Sequence, residues 1–209
     1  MRLTLICILL IPNIVNARPV SYPGGYTIMQ NNNWEHSRLH LHYSPDYKHS
    51  VGIVLENEND TNRYNTNLQF NYLLDRQNTD NSQANAYLKM AAGIAFDGDE
   101  KEPNTSIAIA GDWETRRYFI SYEAIGDYAG DIDNGSFHQY GRVGVAPYVA
   151  NYGNIHTWLM LQVEHHPEEL NDDDQLIATP LIRLFRGDYL AELGINTNGD
   201  AMFNWYVRF

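Results

Sequence analysis

The chain has 209 residues, enough for one domain, and carries a formal charge of −12 with a pI near 4.9. A chain this acidic repels phosphate, which argues against a nucleic-acid partner. Its single cysteine, Cys7, falls in the N-terminal segment, so disulfides and cysteine metal sites are excluded from the rest.

Arg2, the apolar block Leu3 to Ile11 and Val15-Asn16-Ala17 form a charged start, a short hydrophobic region and a cleavage-type end. We expect residues 1–17 to be a cleaved signal peptide and residues 18–209 to be one unit. The apolar block is shorter than the ~20 residues a membrane helix needs. No later stretch is apolar enough for one, so membrane residence requires a barrel.

In chain order, strands are expected over roughly 25–32, 36–44, 48–57, 63–74, 84–96, 105–114, 116–125, 137–149, 154–165, 175–185, 188–197 and 200–209. Alternation is the signal. Leu68, Phe70, Tyr72 and Leu74 oppose Asn67, Gln69, Asn71 and Leu73. Thr157, Leu159, Leu161 and Val163 oppose Trp158, Met160, Gln162 and Glu164. Several segments reach the ~9–11 residues of a tilted membrane strand.

The expected fold class is therefore all-β: a single antiparallel transmembrane β-barrel of about 12 strands, with 10 as the alternative. Both termini then lie on the inner side. Expected inner turns are Ser44–Tyr47, Asp75–Gln83, Glu114-Thr115, Ala150–Gly153 and Arg186-Gly187. Expected outer loops are Asn33–Glu35, Asn57–Asn62, Asp97–Asn104, Gly126–Ser136, His166–Asp174 and Asn198-Gly199.

A soluble sandwich or lipocalin-like barrel alternates too, with its apolar face inward. Two features favour the membrane form. The mixed face carries Arg38, His40, His42, Lys89, Asp112, Glu123, Arg142, Glu164, Arg183, Glu192 and Arg208. Tyr26, Trp34, Tyr43, Trp113, Tyr122, Tyr148, Tyr152 and Tyr189 fall near strand ends, where interfacial girdles sit.

The last strand, Ala201 to Phe209, places Phe203, Trp205, Val207 and Phe209 on one face, and Met202, Asn204, Tyr206 and Arg208 on the other. It resembles the terminal assembly signal of outer-membrane proteins, which implies the barrel-assembly machinery as a partner. Together with Arg18-Pro19-Val20-Ser21-Tyr22-Pro23-Gly24-Gly25, Leu39-His40-Leu41-His42-Tyr43-Ser44-Pro45 and His156-Thr157-Trp158-Leu159-Met160-Leu161-Gln162-Val163, it resembles small uncharacterised proteobacterial outer-membrane β-barrel proteins. That resemblance covers nearly all of residues 18–209. It implies the outer membrane as location, with its lipid and lipopolysaccharide as surroundings, and no activity.

For chemistry, the near-balanced charges of the mixed face suit either a salt-bridged filling or a narrow channel whose charged rings select solutes. A cation preference is expected. His40 and His42, two residues apart on a strand, point the same way and are candidate Zn²⁺ or Cu²⁺ ligands, with Glu164 or another lumen carboxylate completing the site; His165-His166 is a candidate surface pair. An outer-membrane hydrolase would draw on His36-Ser37 or on Ser136 with His138 and Asp133. Adjacent strand residues face oppositely, however, and no G-x-S-x-G motif is present.

Acidic runs (Glu56, Glu58, Asp60; Asp97, Asp99, Glu100, Glu102; Asp127, Asp131, Asp133; Glu168, Glu169, Asp172, Asp173, Asp174) fall in or beside expected outer loops. Divalent cations could bridge them to lipopolysaccharide phosphates. No organic cofactor is expected.

Overall fold

Side chains alternating between apolar and polar build one closed sheet. In a computed structural model, twelve strands run β1 Tyr26–Asn32, β2 His36–Tyr43, β3 His49–Glu58, β4 Arg63–Asn78, β5 Ser82–Asp97, β6 Glu100–Thr115, β7 Tyr118–Ala129, β8 Asp133–Val145, β9 His156–His165, β10 Leu176–Arg186, β11 Tyr189–Ile195 and β12 Ala201–Arg208. The structure describes residues 20–59, 63–151, 153–167 and 176–209. The expected signal peptide, Tyr152 and the acidic residues Asp60, Glu168, Glu169 and Asp172–Asp174 lie outside them. Each strand pairs antiparallel with its sequence neighbours, and β1 pairs with β12 to close the barrel. Twelve strands hold, and the ten-strand alternative does not.

Closure leaves no open edge where neighbouring strands overlap, so the ladder donors and acceptors there are satisfied inside the wall, as a bilayer demands. The outside is apolar: Leu41, Ile53, Leu55, Leu68, Ile107, Ile109, Ile120, Val143, Leu159, Ile182, Leu193 and Phe203 are exposed. Buried positions include Asn65, Asn67, Asn71, Glu123, Gln162, Glu164, Arg183, Glu192 and Asn204. Water-soluble folds invert this arrangement, so the lipocalin alternative fails. Phe203, Trp205, Val207 and Phe209 lie on the lipid face and Asn204 and Tyr206 face inward, as the alternation of the last strand requires.

Several expected boundaries shift. The Asp97–Asn104 loop is instead strand: β5 and β6 continue to a two-residue turn, Gly98-Asp99. Gly98 takes φ 58° there, a value glycine adopts without a Cβ clash at the first position of a tight hairpin turn. The Asp75–Gln83 turn shrinks to residues 79–81, and a bulge between Leu73 and Asp75 keeps the register. The Gly126–Ser136 loop shrinks to residues 130–132, whereas the inner connection placed at Ala150–Gly153 widens to residues 146–155. In the first three cases, polar or acidic sequence of the kind that reads as loop continues a strand instead. With 16 residues each, β4, β5 and β6 make one wall of the barrel tall, and its inner face tolerates acids.

Of the expected girdle aromatics, Tyr26, Tyr43, Trp113, Tyr148 and Tyr189 are exposed near strand ends, whereas Tyr122 is exposed within β7, because that strand runs on to Ala129. Trp34 is a correction: its indole turns into the lumen, where Nε1–H donates to the Glu164 carboxylate.

Candidate functional site

Inward positions of all twelve strands converge on the lumen, and period two decides which they are. The charged residues named from sequence occupy it, and most are held by partners on neighbouring or facing strands.

Glu192, on β11, is 0% exposed. Its carboxylate accepts from Arg183 Nε at 2.7 Å, from Arg142 Nη1 at 3.2 and 3.3 Å, and from Asn204 Nδ2 at 2.8 Å. Arg142 also donates from Nε to Gln162. A buried charge of this kind is tolerated only because every lone pair is met. Lys89 donates to both Glu123 oxygens at 2.6 and 2.7 Å, and Tyr140 adds a 2.6 Å hydrogen bond. These two clusters narrow the middle of the barrel.

His40 and His42 come together as the i, i+2 spacing foretells, but chiefly with each other. Asn71 Nδ2, which can only donate, lies 3.4 Å from His42 Nδ1, leaving His42 Nε2–H to donate to His40 Nδ1 at 3.3 Å. The shared proton takes up the facing lone pairs. Glu164, the expected third ligand, lies elsewhere, at the outer mouth. Among the described residues, no group of three or more His, Cys, Asp or Glu side chains is placed to hold a metal ion.

The outer mouth is built from the 33–35 connection and the outer ends of the strands. Glu56, on β3, accepts from Arg38 Nε at 2.8 Å. Arg63, on β4, reaches Glu58 at 3.0 Å and, across the mouth, Asp133 at the start of β8 at 3.4 Å. The connection 33–35 folds inward. Trp34 Nε1 donates to Glu164 Oε2 at 3.3 Å, and Glu35 lies 3.9 Å from His166 and 3.5 Å from His36. His138 stacks on His166 with centroids 5.5 Å apart. Asp127 faces His138 at 3.6 Å. Period two carried through the acidic stretches would have assigned Glu56 and Asp127 to the lumen.

Neither hydrolase candidate assembles. The Ser136 hydroxyl donates to Asp133, at 3.0 Å, and the Ser37 hydroxyl to Asn32, at 2.8 Å, so neither is directed to a histidine.

Towards the inner end, Asn85 donates to Asp112 at 2.8 Å and accepts from Arg76 at 2.8 Å. Arg208 lies at the inner end of β12. Phe119, Trp158, Met160, Leu181 and Met202 form an apolar cluster at one side of the lumen, and Val20, Leu73 and Tyr87 form a second. Two connected cavities of about 240 and 310 Å³ remain, sharing Glu35, Arg38, Lys89, Glu123 and His138 among their walls.

Among solved structures, the barrel is similar to the KdgM porin, with a TM-score of 0.51 at 6% identity, covering 88% of this chain and 98% of that one. The fold is a porin fold. The KdgM porin in complex with disordered oligogalacturonate matches at 0.51 and 7% identity over the same shares. At such identity the likeness is one of fold alone. No protein-family model and no curated protein matches the sequence. The motif-level resemblance at residues 18–25 and 203–209 therefore stands on those residues alone, while the porin fold stands on the structure.

Proposed function

We propose that this protein is an outer-membrane channel with a narrow, cation-preferring lumen. The observation that carries the reading is the charge of the outer cavity. Glu35, Glu56, Glu58, Glu123, Asp127 and Asp133 line it against Arg38, Arg63 and Lys89. A net negative, low-dielectric vestibule raises the local concentration of cations and repels anions. A polyanion such as the oligogalacturonate held by one of the compared porins would meet repulsion here.

The opposite wall supports passage. Ala91, Ser106 and Ala108 present small side chains, so the cavity stays open between β5–β6 and the charged wall. Export by a signal peptide and insertion by the barrel-assembly machinery fit the N-terminal pattern and the terminal Phe203-to-Phe209 strand. Lipopolysaccharide phosphates, bridged by divalent cations, would surround the outer rim.

Planar bilayers holding the purified protein under a KCl gradient test the reading. Steady steps whose reversal potential lies on the potassium side are expected. A reversal on the chloride side removes the cation preference. A bilayer that stays silent with intact, heat-modifiable protein, in the unmodified chain and in the gate variant described below alike, instead favours a structural envelope role.

A further inference from the structure

The segment before β1 does not run along the wall. Gly24 N donates to Ser44 O at 2.7 Å, Ser44 N to Gly25 O at 3.0 Å, and Ser21 N to Ser44 Oγ at 2.9 Å, which ties residues 21–25 to the inner end of β2. Val20 then packs against Leu73 on β4 and Tyr87 on β5, with Ala110 of β6 beside them, and is 2% exposed. Strands stand 4.7–4.9 Å apart, so β5 lies roughly 20 Å of wall away from β1. A chain that leaves β1 and touches the inward faces of β4, β5 and β6 has crossed the lumen.

At the same end, the opposite wall carries the Phe119, Trp158, Met160, Leu181 and Met202 cluster. The inner half is thus narrowed by two apolar clusters, one fixed in the wall and one completed by a tethered segment. Apolar constrictions stop ions by expelling water. From this geometry we infer that residues 20–25 are an inner gate: with Val20 seated the lumen is sealed to ions, and the channel conducts when the segment leaves. Among the described residues, its holding contacts are the Val20 side chain and a few hydrogen bonds to Ser44.

This gate rests on the channel reading above. Cys7 is the only cysteine and precedes the segment, so an engineered pair is cleanly read. Val20→Cys with Ala110→Cys is expected to bridge on oxidation, to abolish current in planar bilayers, and to recover it with a reductant. Val20→Gly with Ser21→Gly is expected to raise the open fraction roughly tenfold, the order set by losing one buried valine contact. Failure of the pair to bridge, or equal currents oxidised and reduced, overturns the gate while leaving a conducting channel. An open fraction unchanged by the double glycine variant does the same. Silence of every form, the double glycine variant included, fails the channel reading and the gate with it.

Discussion

Arg183 and Glu192 are register partners on β10 and β11, and the guanidinium Nε lies 2.7 Å from the carboxylate Oε1. Arg142 reaches the same carboxylate from β8 and Asn204 from β12. One fully buried acid therefore ties together side chains of four strands. Removing a buried ion-pair partner strands the charges left behind. Glu192→Ala is expected to destabilise the barrel by about 3–5 kcal/mol, read as a lower unfolding temperature of the heat-modifiable gel band. Glu192→Gln keeps part of the hydrogen bonding and should lose less.

Trp34 holds the 33–35 connection over the mouth through one hydrogen bond to Glu164. Bonds to charged groups contribute about 1.5–3 kcal/mol. Trp34→Phe keeps an aromatic ring and deletes the donor. We expect larger single-channel steps with an unchanged unfolding temperature, since the bond restrains a loop and no strand depends on it. Unchanged steps would show that the connection does not limit the current.

Glu35 gives that connection a pH dependence. Burial works to raise its carboxyl, but the hydrogen bond with His36 and the charges of His36, His166 and His138 outweigh it and hold the value down to about 2, from an ordinary 4.5. A depressed carboxylate stabilises the folded form above its unfolded value, and that contribution fades as pH falls through the folded one. The connection should stay docked at pH 5 and loosen between about 4.5 and 2. Acrylamide quenching of Trp34 fluorescence, with Trp113, Trp158 and Trp205 replaced by Phe, reads the change. Glu35→Gln should flatten it.

Gly93, on β5, meets β4 closely. A Cβ there would collide with the Thr66 carbonyl oxygen and lie 2.8 Å from Asn67 Cα. Backbone atoms cannot step aside as a flexible side chain can. Gly93→Ala is expected to cost about 1–3 kcal/mol of overpacking strain, visible as a lower folded fraction after refolding into detergent. Full stability would mean that the β4–β5 contact is looser than the structure has it.

Phe209 closes the seam. Tyr26 N donates to its carbonyl at 2.7 Å, its own N–H donates to Tyr26 O at 3.0 Å, and the two rings stack at 5.9 Å. Phe209→Ala keeps both backbone bonds, and deletion of Phe209 removes them. Deletion should lower the yield of heat-modifiable barrel more than the substitution does. Equal losses would assign the effect to recognition of the ring during assembly.

Much of this was legible from periodicity. Side chains alternate strictly across a strand, so Leu68 against Asn67 or Phe203 against Asn204 marks two faces, and the terminal strand says which one meets lipid. The strand count and the inward placement of Arg38, His40, Lys89, Glu123, Arg142, Glu164, Arg183 and Glu192 follow from that rule. Local composition misleads where acids continue a strand: Asp97, Glu102 and Asp127 read as loop because solvent-facing acids usually are. An inward acid finds its partner on another strand, as Asp127 finds His138 on β8 and Asp133 finds Arg63 across the closed lumen, and no window of sequence contains both sides of that lumen.

Sequence alone determined that the chain is an all-strand barrel with a polar inside, because alternation and length are local properties that a bilayer converts into a closed wall. Tertiary structure alone decided the partners: that Glu192 is shared by Arg142 and Arg183, that the histidine pair hydrogen-bonds to itself with Glu164 drawn away to Trp34, and that Val20 lies against Leu73, Tyr87 and Ala110. Most of those contacts join residues tens of positions apart, and closure with its register is what sets them side by side.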